Sequence, residues 1–257
     1  MKVSTKQNWE TFWEHKSDVK EVYANTDRIR KNLRTVIDVH GKRILEVGAG
    51  TGRDSFYMAD DGAHLVLLDY SMNSLKIIRS AAPSLERIYA TGGDAFALPF
   101  DNDTFDVVFH QGLLEHFRKP QAEALLKENI RVLKRGGLLV VDVPQRWHIY
   151  TAIKHVLIGL NAWFAGWERE FSVRELQALL KSLGVYPKKV YGEWMYPSLF
   201  YRTFREACSK IGLRLPLYPT MIPAVARLRK RIRESLDGTA LQLNTALSIG
   251  VIAEKPQ

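Results

Sequence analysis

Three glycines at alternate positions, Gly48, Gly50 and Gly52, stand between a short apolar run and the start of an amphipathic segment. Ile44, Leu45 and Val47 read as a strand buried on both faces. Asp54-Ser55-Phe56-Tyr57-Met58-Ala59 reads as the first turns of a helix. A glycine-rich turn between strand and helix lets backbone approach a ligand, because a Cβ would clash there or forbid the dihedrals. The spacing discriminates between ligands. A dinucleotide fold wants Gly-x-Gly-x-x-Gly, its third glycine packing helix on strand. That position is Arg53 here, which disfavours a nicotinamide oxidoreductase; the glycines instead run Gly48-x-Gly50-x-Gly52, with Glu46 two residues ahead.

The pattern repeats downstream. Gly62 ends the first helix, Ala63 to Asp69 reads as a second strand, and Ser71 is placed to cap a helix over 73–80, which leaves Asp69 for a ligand. A carboxylate at that strand end can accept two hydrogen bonds from a ribose diol. Arg87 to Ala90 reads as a third strand, followed by Gly92-Gly93-Asp94-Ala95-Phe96-Ala97-Leu98-Pro99-Phe100. Phe105 to Phe109 reads as a fourth, ending in His110-Gln111-Gly112-Leu113-Leu114-Glu115-His116. Ala122, Leu125, Leu126, Ile130 and Leu133 mark a helix stopped by Arg135-Gly136-Gly137, and Leu138 to Gln145 a fifth strand. Five such units call for a parallel sheet with right-handed crossovers. Ligands sit off the carboxyl ends of such strands, so His110 and Gln111 are expected to face one.

The order Glu46-x-Gly48-x-Gly50-x-Gly52, then Asp69, then Gly93-Asp94-Ala95 before Leu98-Pro99-Phe100, resembles the class I S-adenosylmethionine-dependent methyltransferases, in their small-molecule, UbiE-like (type-11) branch. The likeness is dense over the middle hundred or so residues and loose at both ends. It implies an α/β, doubly wound, seven-stranded, mostly parallel sheet of Rossmann-like kind, with the last strand inserted antiparallel beside the fifth. It also implies that S-adenosylmethionine is bound and S-adenosylhomocysteine released. Under it Glu46, Gly48, Ala49, Gly50 and Gly52 form the cofactor turn, and Asp69 holds the ribose with Tyr70 and Met72 beside the adenosine. Asp94 accepts from the adenine amine, the Ala95 backbone N–H donates to a ring nitrogen, and His110 and Gln111 face the methionine half. An N-terminal segment folds over the cofactor in such enzymes, which singles out Tyr23 and Arg28.

Outside that core the sequence departs from a plain version of the fold. We expect one domain over 1–257: an N-terminal helical cap over 1–41, the cofactor core over 42–145, a lid over 146–171, and a closing helix and strands over 172–257 with a helical insertion over 194–244. Trp9, Phe12 and Trp13 recur at helical spacing, and Ile29, Leu33, Val36 and Ile37 predict an amphipathic helix ending near His40-Gly41. Trp147 to Trp167 is rich in Trp, Ile and Leu and predicts an apolar lid over the crevice, hence an apolar or aromatic acceptor. Ser172-x-x-Glu175 is a capping box opening a leucine-faced helix. Val185 to Glu193 and Ala246 to Ala253 alternate as a closing pair of strands.

Charge is unevenly spread. Of a net +9, the stretch from Arg202 to Glu234 carries nine Lys/Arg against two Asp/Glu. Met221, Val225, Leu228, Ile232 and Leu236 form a stripe beside these arginines, which suits peripheral contact with an anionic membrane surface or an anionic partner. A hydrophobic content of 46% supports a sizeable core. The single cysteine, Cys208, the lack of a signal-like N-terminus and the lack of a spanning apolar run predict a cytoplasmic protein. No His/Cys/carboxylate cluster has ligand spacing, so no metal is expected.

Methyl transfer from a sulfonium is an in-line displacement, so positioning supplies much of the catalysis. A base is needed only if the acceptor must lose a proton; His110 and His116 are the expected catalytic residues, with Glu115 a further candidate. Phe109-His110-Gln111-Gly112 lacks the Asn/Asp-Pro-Pro-aromatic motif of enzymes that methylate base amines, and Cys208 lacks a Pro-Cys setting. The reading is therefore a small-molecule methyltransferase, with nucleic acid disfavoured. Two alternatives stay open: an RNA methyltransferase using the basic 202–234 segment, and a non-catalytic S-adenosylmethionine-binding scaffold.

Overall fold

The computed structural model describes residues 5–14, 27–82, 86–161, 163 and 166–257. Seven strands form one sheet: β1 (Arg43–Val47), β2 (His64–Asp69), β3 (Ile88–Gly92), β4 (Phe105–Gln111), β5 (Leu133–Pro144), β6 (Tyr186–Glu193) and β7 (Ser248–Glu254). Their order is β3-β2-β1-β4-β5-β7-β6. β1 to β5 pair in parallel, and β7 runs antiparallel between β5 and β6. The sheet is therefore the doubly wound, mostly parallel arrangement expected. Strand order reverses at β1, between β2 and β4, so a crevice opens at the carboxyl ends of those strands.

Period-two alternation divides the strands cleanly. Ile44, Leu65, Leu67, Val107, Phe109 and Val140 pack with Ile29 and Leu33 of α2 (Arg28–Leu33), Met58 of α3 (Arg53–Asp60) and Leu75 and Ile78 of α4 (Met72–Ala81). Leu45, Val47, Val108, Leu139 and Val141 pack on the other face with Leu125 and Leu126 of α5 (Lys119–Val132) and with Leu176 and Leu180 of α7 (Val173–Ser182). Ahead of these, α1 (Lys6–Glu14) lies against α4. Ser71 accepts the Ser74 N–H and Ser172 the Glu175 N–H, so both expected helix caps form.

Two element boundaries differ from expectation. The helix carrying Ile29 and Leu33 ends at Leu33 rather than near His40; the β-branched run Thr35-Val36-Ile37 disfavours its continuation. The fifth strand starts at Leu133 rather than Leu138, pairing first with Phe105 and then shifting register before Val107. The remaining helices are α6 (Ile149–Gly159) in the lid stretch, and α8 (Leu199–Lys210), α9 (Pro223–Ser235) and α10 (Ala240–Thr245) between β6 and β7. Cys208 is buried in α8. Among the described residues no helix is long and apolar enough to cross a membrane.

The inserted strand depends on one small residue. Gly250 of β7 is the cross-strand partner of both Asp142 and Tyr191, and a Cβ built there would lie 1.9 Å from the Tyr191 ring. Tyr191 is fully buried, so its ring fills the space a side chain at 250 would need. Gly250→Ala is expected to cost about 1–3 kcal/mol through overpacking, read as a lower urea midpoint. The same substitution in a Tyr191→Ala background should cost less, because the obstructing ring is gone.

Candidate functional site

The crevice holds a cavity of about 540 Å³. Its floor is the glycine turn after β1. Gly50 has φ +54°, and a Cβ there would sit 3.0 Å from the Trp13 ring of α1, so both conformation and space require glycine. Gly52 does a different job. It precedes α3, and its Cβ would lie 2.4 Å from Leu67, so it lets helix and strand approach closely. That is the packing role the missing glycine at Arg53 would have had.

Carboxylates are gathered by strand ends. Asp69, at the end of β2, accepts the Gly50 N–H at 2.8 Å on Oδ2 and the Ser71 N–H at 2.9 Å on Oδ1. Burial pushes its carboxyl up, against those backbone bonds. Each oxygen keeps a further lone pair for a ligand. Glu46 lies beneath the turn and off the cavity: Ser55 Oγ donates to it at 2.6 Å, and burial raises it well above the usual carboxylate range. Asp54 accepts from Gln111 Nε2 at 2.6 Å, and both line the cavity. Arg28 of α2 forms a two-pronged pair with buried Asp142 of β5 at 2.9 and 2.8 Å.

The cavity brings together most of the expected residues: Gly48, Ala49, Gly50, Asp69, Tyr70, Asp94, Ala95, Gln111 and His116 all line it. Met72 does not; its side chain is exposed, and its N–H donates to Glu10. Tyr23 lies outside the described residues. His110 is placed elsewhere than expected. Alternation puts it on the face of Val108, towards α5 and α7, while Gln111 takes the cavity side. It is fully buried, has no hydrogen-bond partner among the described residues, and burial drives its imidazole down to about 3. An imidazole so placed is uncharged at neutral pH, and it does not line the cavity. His116 does line the cavity, its ring edge against Trp9 at 5.0 Å, and burial keeps it below the usual histidine range.

Helix α1 straps the crevice. Lys6, Trp9 and Trp13 line the cavity. Glu10 accepts from the Ser71 hydroxyl and the Met72 N–H at 2.9 Å and from the Asn73 N–H at 3.4 Å. Burial raises the Glu10 carboxyl, but these bonds outweigh it and hold it below the ordinary range. Glu10 thereby satisfies orphan donors at the start of α4. Nothing in the periodicity of α1 separates Glu10 from other surface acids.

A second cavity of about 260 Å³ adjoins the first through Arg28, Gly112, Leu247 and Ser248. Its wall is charged. Lys154 of α6, almost wholly buried, pairs with Glu168 at 2.7 Å and Glu170 at 2.6 Å, and Trp163 Nε1 donates to Glu168 at 2.7 Å. Glu115 also lines it, its Oε2 without a hydrogen-bond partner among the described residues. Burial, then the charge of Glu168, pushes the Glu115 carboxyl up to about 8. The lid therefore differs from the apolar one expected. Tyr150, Thr151 and Lys154 turn inward, while Trp147, Ile149, Ile153, Val156 and Leu160 are exposed. The sequence did hold a signal: Lys154 is the one charged residue between Trp147 and Trp167. Among the described residues no group of His, Cys, Asp or Glu is arranged to hold a metal.

Residues 44–137 match the family model described as a methyltransferase domain. Over these residues the core of the chain is similar to a methyltransferase domain. Relatives agree with this domain. Demethylmenaquinone methyltransferase of Renibacterium salmoninarum is 38% identical over 130 residues, 49% of this chain and 53% of that protein. Chloroplastic 2-methyl-6-phytyl-1,4-hydroquinone methyltransferase 1 of Oryza sativa is 35% identical over 107 residues, 41% of this chain and 32% of that protein. The chain spans about half or less of the length of the curated relatives it matches. Solved structures extend the likeness in fold across the methyltransferase domain and beyond it. A possible histamine N-methyltransferase of Thermotoga maritima has TM-score 0.57 at 18% identity, covering 88% of this chain and 86% of that one. Magnesium protoporphyrin IX methyltransferase of Synechocystis, with SAH bound, has TM-score 0.57 at 13% identity, covering 89% and 81%.

The buried acid beside the second cavity has a consequence for stability. Folding raises the Glu115 pKa from the ordinary glutamate value to about 8, so the folded state binds more protons than the unfolded state between those limits. Its contribution is fully present below the unfolded pKa and lost as pH rises through about 8. Glu115→Gln removes that dependence. In urea melts the variant should gain stability relative to wild type between pH 5 and pH 8, by up to a few kcal/mol; equal differences at both pH values would show Glu115 already ionised in the fold.

Proposed function

We propose that the chain transfers the methyl group of S-adenosylmethionine to a small acceptor bearing an aromatic, quinol-like ring. One observation carries the reading: the glycine turn, Asp69 and the Asp94-Ala95 segment converge on a single cavity at the carboxyl ends of the strands. The residues fit the cofactor. A cradle that a Cβ at Gly50 would fill receives backbone-close atoms, Asp69 has lone pairs left for a diol, and Asp94 and Ala95 stand at the same rim. When bound, the cofactor supplies an electrophilic methyl on a sulfonium. The carboxylates of Asp54 and Asp69 suit that positive charge.

The acceptor class follows from the names of the relatives, whose acceptors are a demethylmenaquinone and a phytyl hydroquinone. The second cavity suits the polar end of such a molecule, since it offers a carboxyl, an ammonium and the Tyr150 side chain rather than an apolar wall. Two groups, His116 lining the first cavity and Glu115 the second, can take the acceptor's proton. His116 is neutral at physiological pH, and Glu115 becomes a base as pH rises towards about 8. His110 is too far inside the core to share that role.

Calorimetric titration tests the cofactor assignment. Wild type should bind S-adenosylmethionine and S-adenosylhomocysteine but not NADH. Asp69→Ala leaves ribose hydroxyls unpaired, worth about 1–3 kcal/mol, or roughly 5–150-fold in affinity. Gly50→Val should abolish binding. Wild-type affinity in both variants would mean the cavity is not the cofactor site.

The proton is tested separately with demethylmenaquinol as acceptor. If Glu115 is the base, turnover rises with pH through a midpoint near 8 to a plateau above it, and Glu115→Gln lowers it by roughly 10²–10⁴ with little change in cofactor affinity. If His116→Ala gives that loss and Glu115→Gln does not, the imidazole holds the role.

A further inference from the structure

Three helices present their apolar sides to solvent. On α6 and at its C-cap, Ile149, Ile153, Val156 and Leu160 recur at four, three and four residues and are exposed, Ile149 by 73%. The opposite side of α6 holds Tyr150, Thr151 and Lys154 against the second cavity. On α8, Phe200 and Phe204 lie one turn apart with rings stacked at 6.5 Å, and Phe200 is 81% exposed. Arg202, between them in sequence, points the other way and lines the first cavity. On α9, Val225, Leu228 and Ile232 form an exposed stripe. Its inward side is cationic: Arg229 sits 4.0 Å over the Tyr196 ring, and Arg233 pairs with Glu193 beside Trp194. Ile211, Leu213 and Ile222, in the connection between α8 and α9, are exposed as well.

An amphipathic helix of a water-soluble surface does the reverse, turning its apolar stripe to the core. Scattered exposed aliphatics need no explanation, but stripes on three helices do. Their charge identifies what covers them. The segment from Arg202 to Glu234 carries nine Lys/Arg and two Asp/Glu, and Arg227, Lys230 and Arg231 stand exposed around the α9 stripe. A second copy of the chain would bring the same positive segment against its own likeness. An anionic surface with an apolar interior complements both features.

We propose that α6, α8 and α9 form a docking face for the surface of an anionic lipid bilayer. The side chains of Phe200, Phe204, Val225 and Leu228 enter the acyl boundary, and Arg227, Lys230 and Arg231 meet the lipid phosphates. Association is peripheral, since none of these helices is long enough to span a bilayer. The inner sides of α6 and α8 wall the two cavities, so docking sets the cavity walls against the lipid. An acceptor with an apolar tail can then present its polar end to Lys154 and Glu115 while the tail stays in the membrane.

Flotation of the purified chain with vesicles tests this without any turnover, so its failure leaves the methyltransferase reading standing. Vesicles of phosphatidylcholine mixed in equal parts with phosphatidylglycerol should carry the protein; vesicles of phosphatidylcholine alone should carry far less. Binding should fall at about 0.5 M salt, where the Debye length shrinks to roughly 4 Å. The pair Phe200→Ser/Phe204→Ser and the pair Arg227→Glu/Arg231→Glu should each weaken binding about tenfold or more, with thermal melts and S-adenosylmethionine affinity unchanged. Equal binding to both vesicle types, or wild-type binding by both variant pairs, overturns the proposal. So does a dimer in light scattering that the phenylalanine variants dissolve while no vesicle is bound, which would assign the face to a second copy.

Discussion

A parallel sheet buried on both faces tolerates polar side chains almost only at the ends of its strands, and that constraint organises this molecule. The middles of β1, β2, β4 and β5 are Ile, Leu, Val and Phe, packed against helices on either side. Polar groups therefore accumulate where the strands stop. Asp69 ends β2, Gln111 ends β4, and Asp142 lies near the end of β5. Burying a carboxylate without partners is costly, and those around the crevice are answered locally: Asp69 by backbone N–H groups, Asp142 by Arg28, and Asp54 of α3 by Gln111. The ligand crevice and the polar residues able to serve it thus have one origin.

The strap over the crevice depends on the same economy. Helix α1 has no buried residue of its own, and the contacts of Lys6, Glu10 and the two tryptophans help to fix its position. Glu10 caps the start of α4, Trp13 lies over Gly50, and Trp9 meets His116. Each contact is with an element that itself forms the cavity. A molecule entering beside Gly50 has to share space with Trp13 of α1.

Much of this was legible in the sequence for physical reasons. Glycines that no Cβ can replace, apolar runs of strand length and Ser71 and Ser172 as helix caps are local signals, and they located the sheet, the turn and most of the cavity. What failed needed side-chain direction or long-range pairing. His110 follows the fourth strand's apolar run and sits beside Gln111, but a one-residue step along a strand reverses the face, and only Gln111 reaches the cavity. The lid stretch is apolar in composition, but composition does not say which side of a helix faces in; Lys154 finds Glu168 and Glu170 well over a turn away in sequence. Glu10 acts across 61 residues on Ser71, a pairing no local pattern encodes.

A crystal structure grown with S-adenosylhomocysteine tests the central claim most directly. Density is expected along the Gly48–Gly50 turn, with the ribose hydroxyls on Asp69, the adenine between Asp94 and Ala95, and a moved Trp13. Density bound elsewhere, or an unchanged α1 closed over an empty glycine turn at saturating ligand, would contradict it.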